Sequence, residues 1–375
     1  MQANLPISET DVIGDAVAWL RDRLPSQWEV ERVGPDGNTP PDDQLSDDAV
    51  LYIRSPNRTI GTLAVQARPS LEPREAAQLL PSLARTLRSL AGSTPVLVIA
   101  PWLSERTRQL LQEQEINYID LTGNALLSLS SPGLFISSDG ATRNPAPKPR
   151  GRALVRGPRA ARLIRLLADV HPPYGVSELA RAADLTPGYV SRLLDTLDSE
   201  ALVARSRRGV VDQVDFVGLL RRWSESYDVL QTNRAFAFLA PKGATDALQR
   251  LAAEASDSRY LITGSFAAVR MAPVAAPALL LVYSDDPMSL ARKLGLLPAD
   301  EGANVVLLAP FDSVVWERSS RNDGLHYACP SQVAADCLSG TGRMPVEAEA
   351  LLDWLLANER TWRWKSLDQL PIREQ

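Results

Sequence analysis

The chain has 375 residues, 45% of them hydrophobic and 23% charged, with a formal net charge of -5. That length exceeds one ordinary domain, and that composition lets each of two or three domains bury a core, so a soluble, mixed α/β multidomain protein is expected. The two cysteines, Cys329 and Cys337, and the two histidines, His171 and His326, are too few for a disulfide framework or a His-rich metal site, and no cofactor or metal is expected.

In chain order, Thr10–Leu24 carries Val12, Ile13, Ala16, Val17, Leu20 and Leu24 at helical spacing. Ala49–Tyr52 and Thr59–Arg68 read as strands around a Pro56-Asn57 turn. A helix is expected over Pro73–Ala91, a buried strand at Val96–Ala100, a helix over Ser104–Gln114 and a short strand at Tyr118–Asp120. Strands alternating with helices imply an α/β sheet. The order helix, strand, strand, helix, strand resembles the PD-(D/E)XK restriction-endonuclease-like fold. That resemblance implies a Mg²⁺ site, with Asp47 or Asp48 before one strand and Glu-x-Lys on the next. Gln66 and Arg68 stand where the Glu and Lys would be. A neutral amide is a poor Mg²⁺ ligand and arginine keeps its proton, so residues 1–141 are expected to form an inactive relative of that fold. Asp120 and Asn124 read as turn or capping residues.

Residues 142–156 read as a basic, proline-rich linker: Thr142–Arg150 has three prolines and no large apolar side chain. Acids outnumber bases before Ile60, whereas Lys148–Arg165 contains seven bases and no acid. The local field matters more to nucleic-acid binding than the total charge.

Over residues 157–218 the pattern is helix, turn, helix and hairpin. Pro158–Val170 carries Ala161, Ile164, Leu167 and Ala168 on one stripe, with Arg159, Arg162 and Arg165 off it as a basic edge. His171-Pro172-Pro173 ends it. A short helix starts near Val176, with Ser177 as its expected cap. Asp184-Leu185-Thr186-Pro187 is the turn, and Pro187 suits the first position of the next helix. That helix, to Glu200, turns Val190, Leu193, Leu194 and Leu197 inward, leaving Gly188, Tyr189, Ser191, Arg192 and Asp195 outward. Leu202–Arg205 and Val210–Phe216 read as strands about the turn Ser206-Arg207-Arg208-Gly209. The pattern resembles the winged-helix transcription factors. The resemblance implies that Thr186, Gly188, Tyr189, Ser191 and Arg192 face the major groove of double-stranded DNA. Arg205, Arg207 and Arg208 on the wing would touch phosphates or the minor groove, and Arg156, Arg159 and Arg162 would add backbone contacts.

Residues 219–375 alternate again. A helix is expected from Arg221 to about Asn233, strands at Ala235–Leu239, Tyr260–Thr263, Ala278–Val282 and Val305–Leu308, and an amphipathic helix at Pro345–Glu359 before a polar tail. Gly264-Ser265 after a strand resembles the start of nucleotidyltransferase-like domains, whose following strand carries two metal-binding carboxylates. Here Ala278–Tyr283 is apolar and Asp285 and Asp286 come after it, so this domain too is expected to be inactive. From about Arg156 onward the chain is similar to the AbiEi-type antitoxin and regulator family. The residues that carry this are Leu219-Leu220-Arg221-Arg222-Trp223, Thr232-Asn233-Arg234, Ile262-Thr263-Gly264-Ser265 and Cys329–Asp336. That family implies a DNA-binding autorepressor, sometimes with a toxin as partner.

The sequence therefore predicts a cytoplasmic, non-enzymatic regulator of transcription that binds DNA as a homodimer, without a membrane role. The alternatives are the antitoxin of a type IV toxin–antitoxin pair, a Mg²⁺-dependent DNA nuclease, and a ligand-sensing regulator in which an outer domain binds a small effector or nucleic acid that nothing in the sequence names.

Overall fold

The structure is a computed structural model, and it describes residues 9–33, 48–77, 94–146, 155–206, 208–254 and 258–370. It divides into two compact units: Met1–Gly151 with Ser199–Ala201, and Arg152–Asp198 with Leu202–Gln375.

The first unit is built on one seven-stranded sheet. Its strands β1 (Glu29–Val33), β2 (Asp48–Arg54), β3 (Ile60–Ala67), β4 (Val96–Ala100), β5 (Asn117–Asp120), β6 (Ala125–Leu129) and β7 (Leu134–Ser138) lie side by side in sequence order. The central strands β3, β4 and β5 are parallel and the outer pairs antiparallel. A parallel centre needs cover on both faces, and β4 is buried at every residue. The helix Glu9–Arg23 covers one face, packing Val12, Ile13, Ala16 and Leu20 with Leu51, Leu63 and Leu97. Leu110 and Leu111 of the helix Glu105–Glu113 pack with Val96, Val98 and Tyr118 of the other. The helix expected over Pro73–Ala91 lies largely outside the described residues. The sequence reading missed β1, β6 and β7. β1 and β7 are edge strands, and their half-exposed side chains give little apolar alternation to read.

At the positions where a nuclease would hold its metal, Asp48 lies opposite Gln66 across the β2–β3 pair. The Gln66 amide oxygen accepts from Arg68 Nη2 at 3.3 Å. Asp120 is fully buried and serves its own turn. It accepts from Leu103 N (3.0 Å), Thr122 N (2.9 Å) and Oγ1 (2.7 Å), and Asn124 N (3.1 Å) and Nδ2 (2.8 Å).

The second unit joins a three-helix motif and hairpin to a second seven-stranded sheet. That sheet comprises β10 (Arg234–Leu239), β11 (Tyr260–Thr263), β12 (Leu280–Ser284), β13 (Leu297–Pro298), β14 (Val305–Ala309), β15 (Ser320–Asn322) and β16 (Leu325–Tyr327), in the order β13-β10-β14-β12-β11-β16-β15. The hairpin before it is β8 (Val203–Arg205) and β9 (Val211–Val214). The boundary expected at residues 218/219 does not separate two cores: one apolar cluster runs from Val155 through Leu163, Leu194 and Trp223 to Leu355. The single helix expected from Arg221 to Asn233 is instead two, Phe216–Ser224 and Val229–Thr232. Asp228 opens the second, accepting from Leu230 N and Gln231 N at 2.9 Å.

Gly264 shows why the Gly-Ser turn needs its glycine. Its φ is +62°, and a Cβ there would meet Leu281 Cδ1 and Met344 Cε at 2.9 Å. Ser265 Oγ donates to Glu347, and Asp286 caps the helix Pro287–Lys293 by accepting from Ser289 N at 3.0 Å. Among the described residues no group of three or more His, Cys, Asp or Glu could hold a metal ion, and no helix is long and apolar enough to cross a membrane.

Arg165, expected on a solvent-facing basic edge, is fully buried. The stripe reading failed because its helix, Gly157–Asp169, is covered nearly all round: Ala160, Ala161, Leu163, Ile164, Leu166 and Leu167 are all buried. A charge can sit there only if it is paired and hydrogen-bonded. Arg165 Nε donates to Ser331 Oγ at 3.0 Å, Nη1 to Gln332 Oε1, and Nη2 lies 3.5 Å from Asp169, one turn along. Arg318 Nε donates to the same Asp169 carboxylate. Gln332 Nε2 donates onward to Asp336, which also accepts from Tyr227 OH, Tyr283 OH and Thr263 Oγ1. Burial pushes the Asp169 carboxyl up, but Arg318 and Arg165 outweigh it and hold the group below its ordinary range. At Asp336 burial prevails, and its carboxyl stays raised despite the four donors.

Arg165→Met removes the cation while leaving Ser331, Gln332 and Asp169 in place. It should destabilise the second unit by about 3–5 kcal/mol in urea unfolding. A group whose folded pKa is depressed adds stability above its unfolded value and loses it as pH falls through the folded one. The stabilisation from Asp169 should therefore be complete above the usual aspartate value of 3.8 and decline below it. An Arg165→Met protein as stable as the parent across that range would contradict this reading of the core.

Candidate nucleic-acid interface

Three helices, Gly157–Asp169, Val176–Ala183 and Pro187–Ser199, pack through Leu163, Ile164, Leu179, Val190, Leu193 and Leu197. Pro158 sits in the first turn of the first helix, where a missing N–H is harmless. The second helix begins at Gly175 rather than at the expected Ser177 cap: the Glu178 carboxylate reaches back to accept from Gly175 N at 2.6 Å. Asp184 ends it in the left-handed region, with φ +54°. The third helix opens at Pro187 as expected, and its first amides, Tyr189 N and Val190 N, donate to the Thr186 carbonyl at 3.0 and 3.1 Å.

The hairpin that follows is closed by a turn in which Ser206 N donates to Val210 O and Gly209 N to Ser206 O, both at 2.9 Å. Gly209 has φ +78°, a conformation the turn reserves for glycine. Tyr174, between the first and second helices, pairs with Val211 by two backbone hydrogen bonds. The hairpin is thereby tied to the helices as a wing, through a third strand segment that no local sequence pattern signals.

The predicted site residues separate into three groups. On the third helix and the turn before it, Thr186, Gly188 and Arg192 are exposed, and Tyr189 and Ser191 are half-buried. Burial pushes the Tyr189 phenol above its ordinary range, with Arg159 opposing it, so the hydroxyl keeps its proton at neutral pH and remains a donor. Arg156, Arg159 and Arg208 are also exposed, and no carboxylate pairs with them or with Arg192 among the described residues. Arg207 lies outside the described residues.

Arg162 and Arg205 form the group that differs from expectation. Arg162 donates through Nε and Nη2 to Asp312, at 3.0 and 2.9 Å, and its Nη1 lies 3.4 Å from Asp184. Arg205 donates to Asp195 at 2.7 Å and lies 3.3 Å from Asp198. Both guanidinium groups are held by carboxylates of the same unit rather than offered to phosphates. The sequence could not show it for Arg162, whose partner is 150 residues away. The Asp195, Asp198 and Arg205 pairing was nearer to hand, since the helix and the strand adjoin.

Three helices with a tied wing define a winged helix-turn-helix, the DNA-binding domain of a transcriptional regulator. Residues 158–207 match the IclR helix-turn-helix domain. No curated protein and no solved structure matches the chain.

Gly188 separates folding from recognition. A Cβ at this position would meet nothing within 4 Å. Gly188→Ala should leave stability unchanged or raise it by about 0.5–1 kcal/mol in thermal unfolding. If a duplex approaches the helix backbone here, the same change should weaken DNA binding. Loss of stability would show instead that the glycine serves the fold.

Proposed function

We propose that the chain regulates transcription by reading a specific double-stranded DNA site with the N-terminal part of the helix Pro187–Ser199, as a homodimer. The observation that carries this reading is the exposed Arg192, without a carboxylate partner among the described residues, beside Thr186, Gly188, Tyr189 and Ser191 at the start of that helix. In this family of motifs those positions enter the major groove. Arg192 has the reach and fork geometry for a guanine edge, and Thr186, Tyr189 and Ser191 supply hydroxyl donors for phosphates. Arg156, Arg159 and Arg208 add positive charge on the flank and the wing, where it acts on the backbone without regard to sequence. One such helix reads few base pairs, and a two-fold dimer doubles the site.

The nuclease alternative lacks its chemistry, since Gln66 and Arg68 occupy the positions that need a carboxylate and a lysine, and the antitoxin alternative rests on the sequence resemblance of the second unit alone.

Two substitutions test the reading by fluorescence anisotropy on a genomic fragment bound by the parent. Arg192→Ala should weaken specific binding by about 1–3 kcal/mol while leaving binding to unrelated DNA nearly unchanged. Arg208→Ala should weaken both alike and lower the salt slope by about one. Sedimentation at micromolar concentration should show a dimer. If both variants bind as the parent does, the helix is not the reading head.

A further inference from the structure

The second unit contains a cleft of about 560 Å³ between β16, the 3₁₀ turn Ser313–Trp316 with the residues after it, and the segment that follows the helix Met344–Ala357. That segment, Thr361-Trp362-Arg363-Trp364-Lys365, reads in sequence as part of a polar tail. In the structure Arg363 is buried, and the tail is bonded into the first helix of the winged motif. Trp364 N donates to Asp169 O at 2.8 Å, and His171 N donates to Trp364 O at 2.8 Å.

Four cations line the cleft: Arg270, Arg318, Arg363 and Lys365. No aspartate or glutamate lines it among the described residues. Two of the cations are almost wholly buried, with side chains 5% and 3% exposed for Arg318 and Arg363. Arg318 uses Nε on Asp169 and Nη1 on Glu317, and its Nη2 has no hydrogen-bond partner among the described residues. Arg363 uses Nη1 on Glu359 and Nη2 on the Val170 carbonyl at 2.9 Å, and its Nε is likewise without a partner. Both guanidinium groups are thus engaged mainly with the interior of the unit, and the cations open to an occupant are Arg270 and Lys365. Arg270, exposed and stacked 3.9 Å over the Tyr327 ring, has no carboxylate partner among the described residues, and the same holds for Lys365.

Four aromatic side chains, Trp354, Trp362, Trp364 and Tyr327, also line it, among small, aliphatic and uncharged polar residues. The volume lies in the range of small-molecule sites, which combine an apolar lining with a few convergent polar groups. Aromatic rings take a planar body and guanidinium groups take an oxyanion. We propose that this cleft is a binding site for an aromatic organic anion, a flat ring system carrying one carboxylate or phosphate, with Arg270 and Lys365 at its mouth and Arg318 and Arg363 at its base. Because the same wall is hydrogen-bonded to Asp169, Val170 and His171, an occupant lies one contact from the end of the winged motif's first helix. Any regulatory consequence rests on the DNA-binding reading, but the site itself does not.

The test is calorimetric titration of the full chain, without DNA, with 1-naphthylacetate, 1-naphthyl phosphate and the neutral 1-naphthaleneacetamide. At least one charged probe should bind at one site per chain about tenfold or more tighter than the amide, and the ranking of the two names the head group. Arg270→Ala/Lys365→Ala, whose side chains are exposed and whose fold is checked by thermal unfolding, should remove that advantage. Equal binding of all three probes, or an advantage that survives the double substitution, would overturn the assignment. Since no DNA is present, failure here leaves the DNA reading standing, and failure to bind DNA leaves this site standing.

Discussion

A buried guanidinium sets the terms for the second unit. Arg165 and Asp169 lie one turn apart on the first helix of the winged motif, and both point into the C-terminal half of the unit, toward Ser331, Gln332 and Arg318. An ion pair in an apolar core is tolerable only with near-complete partnering, because each missing hydrogen bond exposes the desolvation penalty. The geometry between the helix and the residues 317–336 is therefore fixed more narrowly than apolar packing alone would fix it. The winged motif does not hang on a linker from the sheet that follows; it shares a core and a polar network with it.

Charge is divided accordingly. The chain is acidic overall, with a net charge of -5, and several arginines near the winged motif are turned inward or held by carboxylates of the same unit. Arg165 goes to the core, Arg162 to Asp312 and Arg205 to Asp195 and Asp198. What remains exposed without a carboxylate partner among the described residues of the motif is Arg156, Arg159, Arg181, Arg192 and Arg208. The positive surface is thinner than the run of bases in the sequence suggests, and it is spread over the three helices and the wing.

Local signals were legible in the sequence. The apolar spacing of Val190, Leu193, Leu194 and Leu197, the proline at position 187 and the glycine at position 209 each follow from physics confined to a few residues, and each holds in the structure. Long-range signals were not. Arg165 looked like a surface cation because its helix has a second buried face that only the fold supplies. Asp312 lies too far along the chain to be paired with Arg162 by inspection. The edge strands Glu29–Val33 and Leu134–Ser138 carry weak alternation because most of their side chains are exposed or only half-buried. The tail after Ala357 read as polar because arginine and lysine alternate with its tryptophans; the alternation in fact places Arg363 inward among backbone carbonyls. The pair Arg165 and Asp169, at helical i,i+4 spacing within an otherwise apolar run, was the one clue to the buried network that the sequence offered.

The central claim is that the face around Arg192 reads a DNA sequence. Selection of the full chain against a pool of random duplexes tests it most directly. The account predicts enrichment of one motif, arranged as two inverted half-sites about one helical turn apart, with Arg192→Ala relaxing the preference at specific base pairs. A pool that stays random after repeated rounds, while the protein remains folded, would contradict it.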